Sequence, residues 1–382
     1  MRVLLAFDKF KDALTASDAC AIAAATLRER HPGWTLDLCP LADGGEGFCD
    51  ILTRAAGGSF ETFTVTGPRG AAVEAALGFV ELSAVPTPAR ALLDLGNAAG
   101  LIALVELATA SGLALLPAGE RDPWLTSSVG TGQLVRHAAD RGANAILMGV
   151  GGSATHDLGL GALGALGLEF LSGDGQPMTS LRPEQWPSLV RFAGGVPASL
   201  PPLRIACDVA NPLLGAQGAA AVYGPQKGLR PADLARIDHE SARLALMLCA
   251  HCGRPDALMD APGAGAAGGI AFGLVAAARA RLLPGYDLVA AWLDLEARLA
   301  VADVVITGEG RFDASSLQGK GPGALAARAL ALGKTVHVFA GAVGIAAPSG
   351  LALHAITPAG VPLAAALRAA PENLAVSLRA VF

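Results

Sequence analysis

Arg2-Val-Leu-Leu-Ala-Phe7-Asp8 is a short apolar run that ends in a carboxylate. It reads as a buried strand, with Asp8 at its carboxyl end. Ser17 is placed to cap a following Ala-rich helix that runs to about Arg30 and stops at Pro32-Gly33. Trp34 to Cys39 reads as a second strand. Leu41-Ala-Asp43-Gly-Gly-Glu46-Gly47 is a polar, glycine-rich turn, and a second helix runs from it to about Ala56.

The C-terminal part repeats the rhythm. Val301 to Thr307 reads as a strand, followed by a loop from Gly308 to Gly321. Pro322 starts a helix to about Leu332, Thr335 to Ala340 and Leu353 to Thr357 read as strands, and Pro371 opens a last helix. Strands alternating with helices predict an α/β fold with a parallel sheet. The two ends together supply enough strands for one flavodoxin-like sheet. The expected organisation is therefore a discontinuous domain, 1–63 plus 288–382, with a second α/β domain, 64–287, inserted into it. Strands are expected in the insertion at Ala91–Leu95, Asn144–Met148 and Arg204–Cys207, among Gly- and Ala-rich helices. The stretch Ala91 to Leu101 is echoed twelve residues on by Ala103 to Leu113, which reads as a local duplication.

Composition narrows the function. Of 382 residues, 52% are hydrophobic and 16% charged, which excludes disorder as the main state. Net charge is −5 and no block of like charge occurs, so a nucleic-acid partner is not expected. The uncharged stretch between Lys334 and Arg368 is broken by Gly341, Gly344, Pro348, Gly350, Pro358 and Pro362, so it does not read as a membrane span. The first apolar run is too short for a signal peptide. Six cysteines are too few for a secreted disulfide frame. The expectation is a cytoplasmic protein, monomer or homodimer, with no membrane partner.

Ligands in an open parallel sheet bind beyond the carboxyl ends of the strands. The scarce charges gather there. Asp8, Lys9 and Lys11 follow the first strand, and Asp43 and Glu46 follow the second. Glu309, Arg311, Asp313, Ser315, Ser316 and Lys320 follow Ile306-Thr307. Mixed carboxylates and cations with glycine-rich turns suit phosphoryl transfer, which needs cations to offset phosphate charge, carboxylates for Mg²⁺ and backbone N–H groups for phosphate oxygens. The glycines are supplied by Gly151-Gly-Ser153-Ala-Thr155-His-Asp157, after an apolar strand, and by Gly263-Ala-Gly-Ala-Ala-Gly268-Gly269. Taken alone, the second of these is better explained by close helix packing through small residues. Asp208 and Asn211, in Cys207-Asp-Val-Ala-Asn211-Pro, suit either a metal or substrate hydroxyls, or a plain turn before proline.

Other signals fail. Gly319-Lys320 lacks the spacing of a phosphate-binding P-loop, Cys249-Ala-His-Cys252 has no second cysteine pair, and no Gly-x-Ser-x-Gly elbow occurs. Gly149-Val-Gly-Gly-Ser-Ala154 matches the dinucleotide pattern and leaves a nicotinamide oxidoreductase as a competing class, beside a non-catalytic binder of small acids.

Taken together and in this order, these motifs resemble the glycerate kinase family of bacterial glyoxylate and glycerate metabolism. The resemblance rests on Ala6-Phe-Asp8-Lys-Phe-Lys11, Pro40-Leu-Ala-Asp43-Gly-Gly-Glu46-Gly, Thr126-Ser-Ser-Val-Gly-Thr-Gly132 and Gly149 to Asp157. It continues through Ala206-Cys-Asp208-Val-Ala-Asn211-Pro-Leu, Tyr223-Gly-Pro-Gln-Lys227-Gly, Pro262 to Gly269 and Ile306-Thr-Gly-Glu309-Gly-Arg311-Phe-Asp313. It implies ATP-dependent phosphorylation of D-glycerate, usually to 2-phosphoglycerate, with Mg²⁺, in a site between two α/β domains. On it, Asp208, Asp157, Lys11 and Asp313 are the catalytic candidates, with Asp208 or Asp157 orienting the hydroxyl or taking its proton. Asp8, Lys9, Asp43, Glu46, Asn211, Glu309 and Arg311 would bind substrate, with Arg311 on the glycerate carboxylate. Gly151, Gly152, Ser153, Thr155, Gly268, Gly269 and Lys320 would bind nucleotide, and Mg²⁺ would be held from among Asp8, Asp208 and Asp313. The chain departs from the family pattern at Lys9 (usually Ser), Phe48 (Thr), His156 (Asn) and Ala210 (Thr).

Overall fold

A computed structural model describes residues 1–96, 99–179, 181–317 and 321–382. Among them the strands are β1 (Arg2–Phe7), β2 (Thr35–Leu38), β3 (Ser59–Thr66), β4 (Ala72–Glu81), β5 (Leu101–Glu106), β6 (Ala145–Gly149), β7 (Leu168–Ser172), β8 (Leu189–Gly194), β9 (Leu203–Ala206), β10 (Arg281–Leu283), β11 (Val304–Phe312), β12 (Thr335–Val343) and β13 (Leu351–Ala355). Contacts divide the chain into two units, Met1–Asp43 with Val289–Phe382, and Gly44–Leu288.

In the first unit the strand order is β13-β12-β11-β1-β2, with every pairing parallel. Counted within the unit this is the 2-1-3-4-5 order of flavodoxin-like sheets, and the order reverses between β1 and β11. Val3, Leu5, Phe7, Val304 and Ile306 turn one face toward Ala19, Cys20, Ala23 and Leu27 of the helix Ala16–Arg30 and toward Leu374 and Leu378 of the helix Ala370–Val381. The first helix starts earlier than the sequence suggests. Its cap is Thr15, whose Oγ1 accepts from Asp18 N at 3.0 Å and donates to the Asp18 carboxylate at 2.7 Å, a reciprocal pair that Ser17 cannot form.

In the second unit the order is β10-β9-β6-β5-β4-β3. The first four strands run parallel, and β4 and β3 are antiparallel. The β3–β4 hairpin turns at Gly67 to Gly70, where Gly70 has φ +93° and donates to Gly67 O at 3.0 Å. The helix Phe48–Ala55 lies on β4 so closely that a Cβ on Gly78 would stand 1.8 Å from Thr53 Oγ1. A separate β7–β8 hairpin adds Phe170 and Phe192 to the core, beside the fully buried Trp186.

The strand expected at Ala91–Leu95 is absent. Pro86-Thr-Pro88 instead starts a helix, Thr87–Leu93, and buried Arg204 closes its end by donating to Leu93 O at 2.7 Å and Asp94 O at 2.8 Å. The echoed copy holds β5 and the short helix Leu107–Ser111. The repeat is thus one of sequence and not of structure. Proline and the Arg204 cap set one copy, and pairing with β4 and β6 sets the other.

Candidate active site

β1 ends at Phe7, in register with Gly308 of β11, so Asp8 and Glu309 follow at the point where the strand order reverses. The sequence reading put a loop at Gly308. β11 instead continues to Phe312 because it keeps pairing with β12 as far as Val343, so Glu309 and Arg311 are strand residues. Asp8 is only 8% exposed. Burial pushes its pKa up to about 7, helped by the charges of Asp43 and Glu309, while Lys9 opposes the shift. Lys9 Nζ lies 3.6 Å from Asp43 Oδ1, and its backbone N–H donates to Asp8 Oδ1 at 2.7 Å. The cation at this departure from the family pattern therefore pairs with Asp43, and its charge also favours ionised Asp8. Burial also raises Glu309, whose Oε1 is buried with no hydrogen-bond partner.

Arg311 is exposed and its Nε donates to Asp313 Oδ2 at 3.0 Å. Ser315 donates to Asp313 Oδ1 from N at 2.9 Å and from Oγ at 2.7 Å, and these bonds hold Asp313 below the usual carboxylate range. Asp8, Lys9, Lys11, Asp43, Glu309 and Arg311 share one cavity of about 790 Å³ in the first unit. Lys320 lies outside the described residues.

The carboxyl ends of β5, β6 and β9 form the corresponding edge of the second unit. Glu106, at the end of β5, accepts from Gly47 N at 3.1 Å and Cys49 N at 3.2 Å, an anion at the start of the helix Phe48–Ala55. After β6 the chain makes a long turn before its next helix, Leu160–Ala165. A dinucleotide fingerprint opens its helix directly, so the Gly149–Ala154 match does not carry that function. Its glycines serve packing. A Cβ on Gly149 would meet Gly44 O at 2.6 Å and one on Gly151 would meet Gly45 Cα at 2.5 Å, while Gly151 N donates to Gly44 O at 2.9 Å. Gly152, with φ +74°, faces the Glu46 carboxylate. Gly268 and Gly269 adopt φ +72° and +85° and pack on the same turn, where a Cβ on Gly268 would stand 2.1 Å from Thr155 O.

Buried groups fix this turn. Asp157 Oδ2 accepts from Ser128 N at 2.7 Å, Ser128 Oγ at 2.8 Å and Gly161 N at 3.2 Å, and Oδ1 accepts from Gly159 N at 3.1 Å. Burial raises its pKa against those four bonds. Lys227, 2% exposed, donates from Nζ to Thr155 O at 2.6 Å and to Ser153 Oγ at 2.9 Å, and burial brings its pKa down to about 7. His156 points away, with Nε2 3.2 Å from Ser241 Oγ, and burial with the nearby Lys227 charge keeps it neutral, its pKa lowered to about 3. Phe48 is fully buried, beside Gly149, and Ala210 is exposed.

Asp208 follows β9 and is half-buried. Its Oδ2 accepts from Tyr286 N at 2.8 Å, at the start of the helix Gly285–Trp292. Asn211 is engaged within its own loop, donating to Gln217 O at 2.8 Å and accepting from Tyr223 OH at 2.6 Å.

The structure thus gathers Asp8, Lys9, Lys11, Asp43, Glu309, Arg311 and Asp313 at the sheet edge of one unit, and Glu46, Gly151–Asp157 and Asp208 at the sheet edge of the other. Sequence reading gave no role to Lys227 or Glu106. Glu106 carried the same signal as Asp8, a carboxylate closing an apolar run. Lys227 stood within the Tyr223–Gly228 motif, but only the fold brings it to Thr155. Among the described residues no helix is long and apolar enough to cross a membrane.

The family model described as "Glycerate kinase family" matches residues 3–382. A glycerate kinase of Halalkalibacterium halodurans is 37% identical over 90% of this chain and 86% of its own. A glycerate kinase of Bacillus subtilis is 35% identical over 98% and 95%, and a glycerate 2-kinase of Escherichia coli is 35% identical over 84% and 80%. The crystal structure of a Salmonella typhimurium LT2 protein provisionally named glycerate kinase 2 superposes with a TM-score of 0.77 at 36% identity, covering 100% of this chain and 97% of that one. A family match over almost the whole chain, on the α/β architecture and sheet edges described, establishes that the chain is a kinase belonging to the glycerate kinase family.

Proposed function

We propose that this protein transfers the γ-phosphoryl group of ATP to a hydroxyl of D-glycerate, giving 2-phosphoglycerate and ADP. The observation that carries the reading is the pair of carboxylates, buried Asp8 and half-buried Glu309, at the switch point of the flavodoxin-like sheet, with Lys9, Lys11 and Arg311 beside them. The relatives' names, including the glycerate 2-kinase, support the acceptor and the position phosphorylated.

Among the described residues no three His, Cys, Asp or Glu side chains form a ready metal cage. Mg²⁺ does not need one, because it is held by one or two carboxylates together with substrate phosphates and water. Asp8 and Glu309 fit that demand. They are adjacent hard oxygen donors whose mutual repulsion a cation would relieve, and Glu309 Oε1 has no partner. Mg²⁺ there would neutralise charge developing on the transferred group. Asp313 is occupied by Ser315 and Arg311 and is assigned to orienting Arg311.

Arg311 is assigned to the glycerate carboxylate, which a guanidinium matches bidentately. Asp43, Glu46 and Asn211 are assigned to the substrate hydroxyls, and Lys11 to phosphate charge. Asp208 is assigned as the base. Tyr286 N holds its Oδ2 in place, and the carboxylate takes the hydroxyl proton as the glycerate oxygen bonds to phosphorus and the bond to ADP breaks. Asp157, held by four hydrogen bonds, positions the turn at Gly151–Thr155, which is assigned to the phosphoryl group. The use of ATP assigns the reaction to the cytoplasm.

The test is ADP release with Mg·ATP and D-glycerate, with L-glycerate and no acceptor as controls, and with the product coupled through enolase. D-glycerate-dependent ADP release that feeds enolase supports the reading. No acceptor-dependent release from folded protein would overturn it, and release without an enolase signal would move the phosphate to another hydroxyl.

A further inference from the structure

The 790 Å³ cavity of the first unit has two unlike ends. One carries the charged side chains described above. The other is walled by Val343, Ala355, Ile356, Val361, Leu363 and Leu367. Glycerate cannot use that wall, since each of its carbons bears oxygen. The volume lies within the roughly 300–1,000 Å³ of sites that enclose a larger organic ligand, mostly through apolar contacts with a few polar groups at one end. Part of the apolar wall is left uncovered. Leu363 is 74% exposed and Val361 36%, both at the start of a short helix, Leu363–Arg368, whose buried residue is Ala366. Contiguous apolar side chains exposed around a concave surface are the usual lining of a ligand site. Thr357, Gly341 and Ala342 line the same wall.

We infer that this cavity holds the nucleoside of the phosphoryl donor. Its flat base lies against Val343, Ile356, Val361 and Leu363, and its polyphosphate runs toward Lys9 and Lys11. The inference rests on the kinase reading for the identity of the donor. Charge agrees with it. A polyphosphate bearing a divalent cation presents both signs, and so does the polar end, with Lys9, Lys11 and Arg311 interleaved with Asp8, Asp43 and Glu309.

The test is a titration of the full chain with a fluorescent N-methylanthraniloyl-ADP and Mg²⁺, comparing wild type with Leu363→Glu and Val361→Asp. Both positions are open to solvent, and circular dichroism checks that the variants fold. Expected is a loss of nucleotide affinity of roughly tenfold or more, with the KM for ATP raised alongside and the KM for D-glycerate within roughly twofold of wild type. Unchanged nucleotide affinity in both variants overturns the inference, as does a rise in the KM for D-glycerate alone. Failure of the two readings looks different. Wild type that binds the probe, loses it in the variants and ignores D-glycerate would keep the cavity assignment and remove glycerate as acceptor. Wild type that phosphorylates D-glycerate while the variants bind normally would do the reverse.

Discussion

Asp8 and Glu309 are neighbours across two parallel strands. Phe7 pairs with Gly308, Asp8 N donates to Gly308 O at 2.9 Å, and the two carboxylates come next in each strand. Burial of Asp8 disfavours its charged form, and repulsion from Asp43 and, less, from Glu309 adds to that. In the absence of a cation the fold therefore holds a proton there. Asp8 titrates near 7 in the folded chain against 3.8 ordinarily. Between those values the folded state keeps a proton that the unfolded state releases, so its contribution to stability falls as pH rises from about 4 to 7.

Replacing Asp8 with Asn should remove that slope. Thermal melts of ligand-free protein at pH 5 and pH 8 should show the variant gaining on wild type at the higher pH. The gain is bounded by a few kcal/mol, since one pKa unit corresponds to about 1.4 kcal/mol. The same variant should lose turnover. A stability difference equal at both pH values would show that Asp8 ionises normally.

Asp208→Asn separates chemistry from architecture. Asparagine keeps an oxygen to accept from Tyr286 N, as Asp208 Oδ2 does at 2.8 Å, so melting temperature should stay near wild type. Loss of the base should lower kcat by roughly 10²- to 10⁴-fold, with a smaller effect on KM for ATP. Near-normal steady-state turnover would take Asp208 out of the chemistry.

The sheet edge of the first unit was legible in the sequence because each charged group follows an apolar run directly. Asp8 after β1, Glu309 within the last residues of β11, and Asp43 after β2 all carry that signal. The β3–β4 hairpin was not legible. Its strand Ser59–Thr66 has a mostly exposed or half-exposed pattern, and its position is set by pairing with β4 and by the close approach of Thr53 to Gly78. The glycine-rich turns were legible as turns and ambiguous in purpose. Only the packing distances show that Gly149, Gly151 and Gly268 face other backbone. The role of Lys227, quoted only as part of the Tyr223–Gly228 motif, was hidden for the same reason, since no sequence pattern links it to a carbonyl as distant along the chain as Thr155.

The purpose of Gly268 can be tested by Gly268→Ala. The new methyl carbon would stand 2.1 Å from Thr155 O, at a backbone φ of +72°. Steric crowding and the left-handed conformation together should cost roughly 2–5 kcal/mol, read from the urea midpoint of unfolding. A variant of normal stability with weakened ATP binding would instead make Gly268 a phosphate cradle.

Lys227→Met tests the support of the 151–155 turn. Lys227 Nζ holds Thr155 O at 2.6 Å and Ser153 Oγ at 2.9 Å from a fully buried position. Methionine fills the space and holds neither, so kcat should fall by roughly 10- to 100-fold in a chain that still folds. The pH signature separates this from a general loss of packing. Burial lowers the Lys227 pKa from 10.5 to about 7, so between those values the unfolded chain binds a proton that the folded chain does not. The group's contribution to stability therefore rises with pH across that window. The advantage of wild type over the variant in thermal melts should be larger at pH 9 than at pH 7. A difference independent of pH would mean that Lys227 stays charged in the fold and that its two hydrogen bonds are those of an ammonium ion at every pH.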